Sequence, residues 1–212
     1  MKPALEYPFL AVILTTRNVG APHLDALRES NPGLNIRIHE SADADTEEGA
    51  KDAWRNCDRN IRQWWQREGK SVEAEQVLFL EYDVLVTVDL VAALRVMPAG
   101  FGMMGASVKG IATDGRAWAP FAEARRLPRE VAAFASGIAP LAVAMISRGA
   151  LDAISDDRWN ETFAADIFCE LRLPTLIRAC GYRLMASPMP FVKCGKFAGK
   201  IDAPGIYHGV KP

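Results

Sequence analysis

Short apolar runs alternate with amphipathic stretches along most of the chain. The apolar runs are bounded by polar or glycine-containing segments, which is typical of buried strands. They predict strands at about residues 9–16, 34–40, 76–82, 101–107, 140–147 and 182–187. Apolar residues at helical spacing predict helices at about residues 22–30, 46–67, 88–96 and 161–180. This alternation predicts an α/β fold with a mainly parallel central sheet flanked by helices.

The two longest predicted helices carry recognisable boundary signals. Asp45 and Thr46 can begin the first of them, and Gly181 can end the second as a glycine C-cap. Three tryptophans follow the apolar spacing of the first helix, so we expect them to pack in the core and not to form a stacking surface. They are Trp54, Trp64 and Trp65.

Two segments lack any regular pattern. Residues 108–128 are rich in Gly, Ala, Arg and Pro and predict a long irregular connection. Residues 188–212 contain several prolines, glycines and lysines and predict a loop-like tail over the domain. Four glycines surround the end of this tail, so we expect it to act as a lid that is ordered by a ligand.

Composition narrows the possible classes of protein. With 212 residues, 50% of them hydrophobic, the chain can form one domain with a substantial core. The formal charge of −1, from 25 basic and 26 acidic residues, predicts no general affinity for nucleic acid or anionic membranes. The apolar run near the N-terminus is too short for a signal peptide, and no run approaches a membrane span, so we expect a soluble cytoplasmic protein. Four cysteines without a CxxC pair predict core thiols.

Two carboxylates stand at the end of the predicted strand 76–82. A charge there is costly to bury unless a partner or a metal compensates it. Because side chains alternate along a strand, Glu81 and Asp83 point the same way and can bind one divalent cation. Acidic residues can also simply close a strand and open a turn. The first strand also ends in polar residues, which are Thr15, Thr16, Arg17 and Asn18. Two such strand ends favour one shared site.

Four stretches, in this order, resemble nucleotide-sugar glycosyltransferases of the GT-A fold. They are AVILTTRN (11–18), EYD (81–83), ETFAADIFCELRLPTLIRACGYRL (161–184) and IYHGVK (206–211). The resemblance implies one GT-A-like Rossmannoid domain over residues 1–212. It also implies a donor that is a nucleoside-diphosphate sugar and an acceptor hydroxyl.

The resemblance assigns roles to individual residues of this chain. Asp83 matches the direct metal ligand, and His208 would complete the metal shell. Glu81 replaces the usual first Asp and would act through water or the ribose. The nucleotide would contact Thr15, Thr16, Arg17, Lys211 and at least one residue of the group Arg55, Asn56 and Arg59. For His208, Lys211 and the arginines, an ordinary surface position is the alternative, including helix pairing of the arginines with Asp52 or Asp58.

A second acid is expected on the late helix, facing the acceptor. Glu170 matches half of the family's Glu-Asp pair, because Cys169 precedes it. Asp166, one helical turn earlier, is the rival. A carboxylate in this place can serve as general base if the reaction inverts the anomeric centre, which we expect. Departure of a nucleoside diphosphate builds negative charge that Mn²⁺ or Mg²⁺ can neutralise, and a histidine ligand favours Mn²⁺.

Three other classes compete with this hypothesis. A degenerate GT-A domain could bind nucleotide or a protein partner without turnover, since Glu81 and Cys169 depart from the pattern. A haloacid-dehalogenase-type phosphatase is disfavoured, because EYDVLVT places Glu81 where the nucleophilic Asp should stand and lies mid-chain. A sugar nucleotidyltransferase is disfavoured because no glycine-rich phosphate loop follows the first strand.

Overall fold

The computed structural model describes most of the chain in regular elements. It covers residues 8–16, 19–41, 52, 54–94, 97–105, 109–110, 119–135, 137–187, 192–197, 201 and 203–210. The strands are β1 (Leu10–Thr16), β2 (Ile36–Ser41), β3 (Gln76–Glu81), β4 (Val84–Val86), β5 (Phe101–Gly105), β6 (Lys109–Gly110), β7 (Gly137–Ile138), β8 (Val143–Ser147), β9 (Arg183–Ala186), β10 (Val192–Phe197) and β11 (Ile206–Val210). The α-helices are α1 (Leu24–Ser30), α2 (Cys57–Arg67), α3 (Leu90–Ala93), α4 (Arg129–Ala132), α5 (Arg148–Ile154), α6 (Asn160–Ala164) and α7 (Cys169–Ala179).

The six predicted strands form one central sheet. Its order is β2-β1-β3-β8-β5-β9. The pairs β1–β2, β1–β3 and β5–β9 are parallel, whereas β8 runs antiparallel to both β3 and β5. The prediction of an α/β fold with a mainly parallel sheet is therefore confirmed.

Alternation along β1 divides the core between the two faces of the sheet. Leu10, Val12 and Leu14 pack in a cluster with residues of α2, α5 and α7. Ala11 and Ile13 pack in a second cluster with residues of α1, α3, β4 and β11. The sheet is thus covered by helices on one face and by helices with a small second sheet on the other.

The C-terminal tail is more regular than its composition predicts. The strands β10 and β11 pair in parallel, and β11 pairs antiparallel with β4, so that the three form a second sheet. The interpretation of 188–212 as a loop is wrong for these strands. Ile206, Tyr207 and Val210 are buried and hold β11 against the domain. Gly209 has a φ of 89°, and a Cβ there would collide with the carbonyl of Gly195, so glycine permits this close pairing.

The segment 108–128 also contains regular structure, contrary to the prediction. The strand β6 pairs antiparallel with β7, and Ala119–Arg126 forms a 3₁₀ helix. The helix packs against α7, and such tertiary packing overrides a composition rich in Gly and Pro. Residues 111–118 lie outside the described part of the chain.

The predicted helix 161–180 is interrupted. The helix α6 ends at Ala164, and α7 begins at Cys169 with Ala165 and Phe168 in extended conformation. The Arg172 side chain donates hydrogen bonds to the carbonyls of Ala165 and Ile167, at 2.8 and 2.9 Å. Those carbonyls are open to a side chain because the helix is broken there. Gly181, with a φ of 89°, follows the C-cap of α7 as predicted.

The predicted helix 46–67 is described from residue 54 onward, apart from Asp52. Residues 54 and 55 are helical, Asn56 is in a turn, and α2 follows. Trp64 and Trp65 are fully buried, which confirms their assignment to the core. The same assignment is wrong for Trp54, whose side chain lies outside the core at 60% exposure. No described helix has the length and apolar character needed to cross a membrane.

Candidate functional site

Three predicted site residues converge where the two sheets meet. Glu81 is the last residue of β3, and Asp83 follows in the turn that leads to β4. His208 lies on β11 directly opposite Val84 of β4. The Val210 amide also donates to the carbonyl of Asp83 at 3.1 Å. Backbone pairing therefore brings His208 beside two acids that precede it by more than a hundred residues.

The three side chains form a cluster of metal-binding geometry. The His208 Nε2 atom lies 3.1 Å from Oε2 of Glu81 and 3.5 Å from Oδ1 of Asp83. One ligand atom of each residue lies within 4.8 Å of the others. Ligands around one small divalent cation stand about 2–2.2 Å from it, so only minor adjustment would let all three bind it. Two carboxylates and one imidazole suit Mn²⁺ better than Mg²⁺.

This cluster forms one wall of a cavity of about 370 Å³. The described residues that line the cavity are Leu14, Thr15, Thr16, Val19, Ser41, Trp54, Cys57, Asn60, Glu81, Tyr82, Asp83 and His208. The set contains two carboxylates and no lysine or arginine among the described positions. The volume is typical of small-molecule sites.

The end of β1 forms the edge of the cavity beside this cluster. Thr16 accepts hydrogen bonds from the amides of Val19 and Gly20, both at 3.1 Å, so the chain turns sharply after the strand. The Thr15 hydroxyl donates to the carbonyl of Gly20 and is thus committed to this turn. Thr15 and Thr16 line the cavity, whereas Arg17 and Lys211 lie outside the described residues.

The region from Trp54 to Asn60 contributes different side chains to the cavity from those predicted. Trp54, Cys57 and Asn60 recur at intervals of three residues and line the cavity. Arg55 and Arg59 are not among the lining residues. We did not predict Trp54 or Asn60, although their spacing with Cys57 is visible in the sequence.

Both arginines are held by other groups. The Arg55 guanidinium donates to Asp166 and to Glu123, each at 2.8 Å. Arg59 donates to the carbonyl of Phe163 at 2.7 Å. Arg55 is thus connected to the 3₁₀ helix and to the segment between α6 and α7, and Arg59 to α6.

Asp166 belongs to this surface network. Its side chain is 72% exposed and also accepts from Arg126 at 2.9 Å. The hydrogen bond from Arg55 lowers the pKa of Asp166 below its usual value. An exposed carboxylate with a lowered pKa is poorly suited to accept a proton. Asp166 also lies between α6 and α7, not one turn before Glu170 on a continuous helix.

Glu170 has the opposite environment. It stands in the first turn of α7, and burial, with a further contribution from the charge of Glu81, raises its pKa from 4.5 to about 7. The amide of Leu141 and the nearby His208 act in the other direction. Glu170 is not among the cavity-lining residues, but its charge is coupled to two members of the cluster. A carboxylate with a pKa near 7 can exchange protons at neutral pH.

A buried ion pair fixes the helix that carries Glu170. Arg172 of α7 and Asp58 of α2 are both fully buried and form a two-point salt bridge, with a 2.7 Å contact from Nε of the arginine. A second Arg172 nitrogen also donates to Asn56 at 2.9 Å. Next to this pair, the sulfur atoms of Cys57 and Cys169 are 3.3 Å apart as free thiols. These contacts join α2 to α7.

Comparisons with known proteins identify the fold. No family model and no curated protein matches the sequence. Among solved structures, the bifunctional glycosyltransferase WbbM matches with a TM-score of 0.55 and 11% identity, over 100% of this chain and 47% of that chain. The galactosyltransferase LgtC, in complex with donor and acceptor sugar analogs, matches with a TM-score of 0.52 and 11% identity, over 96% of this chain and 88% of that chain. The chain therefore has the GT-A fold of nucleotide-sugar glycosyltransferases, as the four sequence stretches predicted.

Proposed function

We propose that this protein is a metal-dependent glycosyltransferase that moves a sugar from a nucleoside-diphosphate donor to an acceptor hydroxyl. The observation that carries the proposal is the cluster of Glu81, Asp83 and His208, which lies inside a cavity at the carboxyl end of β3. Ligands of open α/β sheets bind at this end of the strands. The GT-A fold agrees with the proposal. The alternative with the same fold is a degenerate domain that binds nucleotide or a protein partner and does not catalyse transfer.

The charges of the cavity favour dependence on a metal. A nucleoside diphosphate is an anion, whereas the described lining holds two carboxylates and no lysine or arginine. Without a cation, the carboxylates would repel the diphosphate. Glu81, Asp83 and His208 would hold the ion, which supplies positive charge against the leaving diphosphate. We assign the remaining phosphate contacts to Arg17 and Lys211.

Glu170 is our candidate for the general base, with inversion at the anomeric carbon. Its raised pKa supports the acceptance of a proton from the acceptor hydroxyl. The buried Asp58–Arg172 pair holds the start of α7 and thus keeps this carboxylate near the cavity. Asp166 remains the alternative base, but its two ion pairs disfavour it.

The decisive experiment is nucleotide binding with and without Mn²⁺. We expect a panel of nucleoside diphosphates to raise the melting temperature only when Mn²⁺ is present, since a ligand at 100 times its Kd stabilises by about 2.7 kcal/mol. The variant Asp83→Ala should lose this shift, while Asp25→Ala, at an acid that is 93% exposed, should keep it. A folded Asp83→Ala protein with an unchanged shift would refute the metal site.

A second assay separates an enzyme from a domain that only binds. Water can take the acceptor's place, so we expect an active enzyme with bound donor and metal to hydrolyse the donor slowly when no acceptor is present. Release of nucleoside diphosphate from a sugar-nucleotide panel would support turnover. Metal-dependent binding of the sugar nucleotide without release of nucleoside diphosphate would favour the degenerate domain. Glu81 and Cys169, which depart from the family pattern, are the residues that motivate this alternative.

A further inference from the structure

Trp54 is unusual among the tryptophans of the structure. Its side chain is 60% exposed, whereas the other three in the described residues, Trp64, Trp65 and Trp159, are at most 7% exposed. An isolated exposed aromatic residue is ordinary on a protein surface. Trp54, however, lines the same cavity as the acidic cluster. The exposed surface of Trp54 therefore faces the cavity of the acidic cluster and not only bulk solvent.

The indole ring packs against a neighbouring aromatic ring. The ring of Phe168, which is itself buried, packs against it with centroids 4.7 Å apart and the planes tilted by 56°. The backbone is fixed as well, because the Cys169 thiol donates to the Trp54 carbonyl at 3.4 Å. Such packing restricts the rotamer of the Trp54 side chain, so that the indole ring can serve as a stacking platform.

Phe168, which packs against Trp54, and the candidate base Glu170 belong to one segment of the chain. Phe168 precedes Glu170 by two residues, at the start of α7. The residues that contact Trp54, Phe168 and Cys169, therefore lead directly into the candidate base. Asn60 of α2, which also lines the cavity, offers an amide for hydroxyl groups.

We propose that Trp54 is the platform for a pyranose ring and that this ring belongs to the acceptor, which makes the acceptor a carbohydrate. One face of a pyranose carries mainly C–H groups that pack on an aromatic ring, while its edge carries hydroxyls for Asn60 and Glu170. A nucleobase would also stack, but it has no hydroxyl to present to Glu170. Leu14 of β1 and Val19 also line the cavity and offer a nucleobase another apolar surface. The identification of the ring as acceptor rests on the proposed function.

The test measures sugar and nucleotide binding separately. Methyl glycosides of glucose, galactose, mannose and N-acetylglucosamine are titrated by ligand-observed NMR, with sorbitol as the acyclic control. Each titration is run on the free protein and on the protein with Mn²⁺ and nucleoside diphosphate. The variants are Trp54→Ala, Trp54→Phe and, as a matched exposed aromatic outside the cavity, Phe134→Ala.

We expect at least one glycoside to bind the wild type more tightly than sorbitol. Trp54→Ala should weaken this glycoside about tenfold or more, Trp54→Phe should recover part of the loss, and Phe134→Ala should have no effect. The affinity for nucleoside diphosphate should stay within about a factor of two in all three variants.

Three results would overturn the proposal. They are no glycoside binding to the wild type, glycoside binding that Trp54→Ala leaves intact, and a loss of nucleotide affinity as large as the loss of glycoside affinity. The last result would mean that Trp54 stacks on the nucleobase. If glycosides bind through Trp54 while the wild type fails to bind any nucleoside diphosphate with Mn²⁺, the proposed function is wrong and the sugar platform itself stands.

Discussion

The two sides of the cavity are held by different forces. On the strand side, Glu81, Asp83 and His208 are placed by backbone pairing among β3, β4 and β11. On the helix side, Trp54 precedes α2 and contacts Phe168 and Cys169 at the start of α7, which carries Glu170. A fully buried ion pair joins α2 to α7. A backbone ladder survives most substitutions of the side chains that it carries. A buried ion pair does not, because removal of one partner leaves an uncompensated charge.

Substitutions on the two sides of the cavity should therefore have different kinds of effect. Substitutions of the cluster on the strand side should alter ligand binding and leave the fold intact. Substitutions on the helix side should either remove a reacting group or loosen the contact that positions it. The predictions below are arranged to distinguish these outcomes.

The largest effect is expected at Glu170. Glu170→Gln should bind donor and metal but transfer sugar about 10²–10⁴-fold more slowly, as typical for loss of a general base. Asp166→Asn is the matched control and should stay near the parental rate, with steady-state kinetics as the measurement. Parental activity in Glu170→Gln together with an inactive Asp166→Asn would move the base to Asp166. Full activity in both would contradict the inverting mechanism.

In the metal-free protein at alkaline pH, Glu170→Gln should be more stable than the wild type. The folded-state pKa of Glu170, about 7, exceeds 4.5, so the folded state retains a proton that the unfolded state has released. Wild-type stability should therefore fall as pH rises from about 4.5 to about 7. At pH 8, Glu170→Gln should gain on the order of 1–3 kcal/mol in urea unfolding, and little below pH 4.5. A constant difference across this range would show that burial of Glu170 has no electrostatic cost.

The buried ion pair should dominate the stability of the helix side. Arg172→Met leaves the Asp58 charge buried and should cost about 3–5 kcal/mol in free energy of unfolding. Arg126→Met, which removes an exposed ion pair with Asp166, should cost at most about 1 kcal/mol. The double variant Asp58→Asn with Arg172→Met should recover part of the larger loss. Equal costs for the two arginines would contradict the contrast drawn between buried and exposed pairs.

The smallest effect concerns the C-terminal tail. We propose that the tail acts as a lid on the domain formed by residues 1–212, although pairing of β11 with β4 restricts any movement near His208. Trypsin cleavage at Lys196 or Lys200 should slow several-fold when Mn²⁺ and nucleoside diphosphate are added. Asp83→Ala should abolish this protection. Equal rates with and without ligand, in wild-type protein that binds the ligand, would argue against the lid.

The sequence alone determined the central sheet and one acidic edge of the site. The strands β1, β3 and β8 are short apolar runs, whereas β2 begins with apolar and polar residues in alternation, and both patterns are detectable without knowledge of what they pair with. Glu81 and Asp83 were identified because they directly follow one of those runs. Gly181 was identified because a helix end needs a residue that tolerates positive φ. All these signals are local.

The tertiary structure decided which distant residues meet. Nothing near His208 shows that its strand pairs with β4, and the glycines around it predicted a loop. The exposure of Trp54 also depends on remote contacts, since its apolar spacing is shared with the fully buried Trp64 and Trp65. The break before α7 leaves carbonyls that a continuous helix would occupy, and Arg172, which binds Asp58 across the core, donates to two of them. A hydrophobic pattern records whether a residue can be buried, whereas pairing and packing decide what lies opposite it.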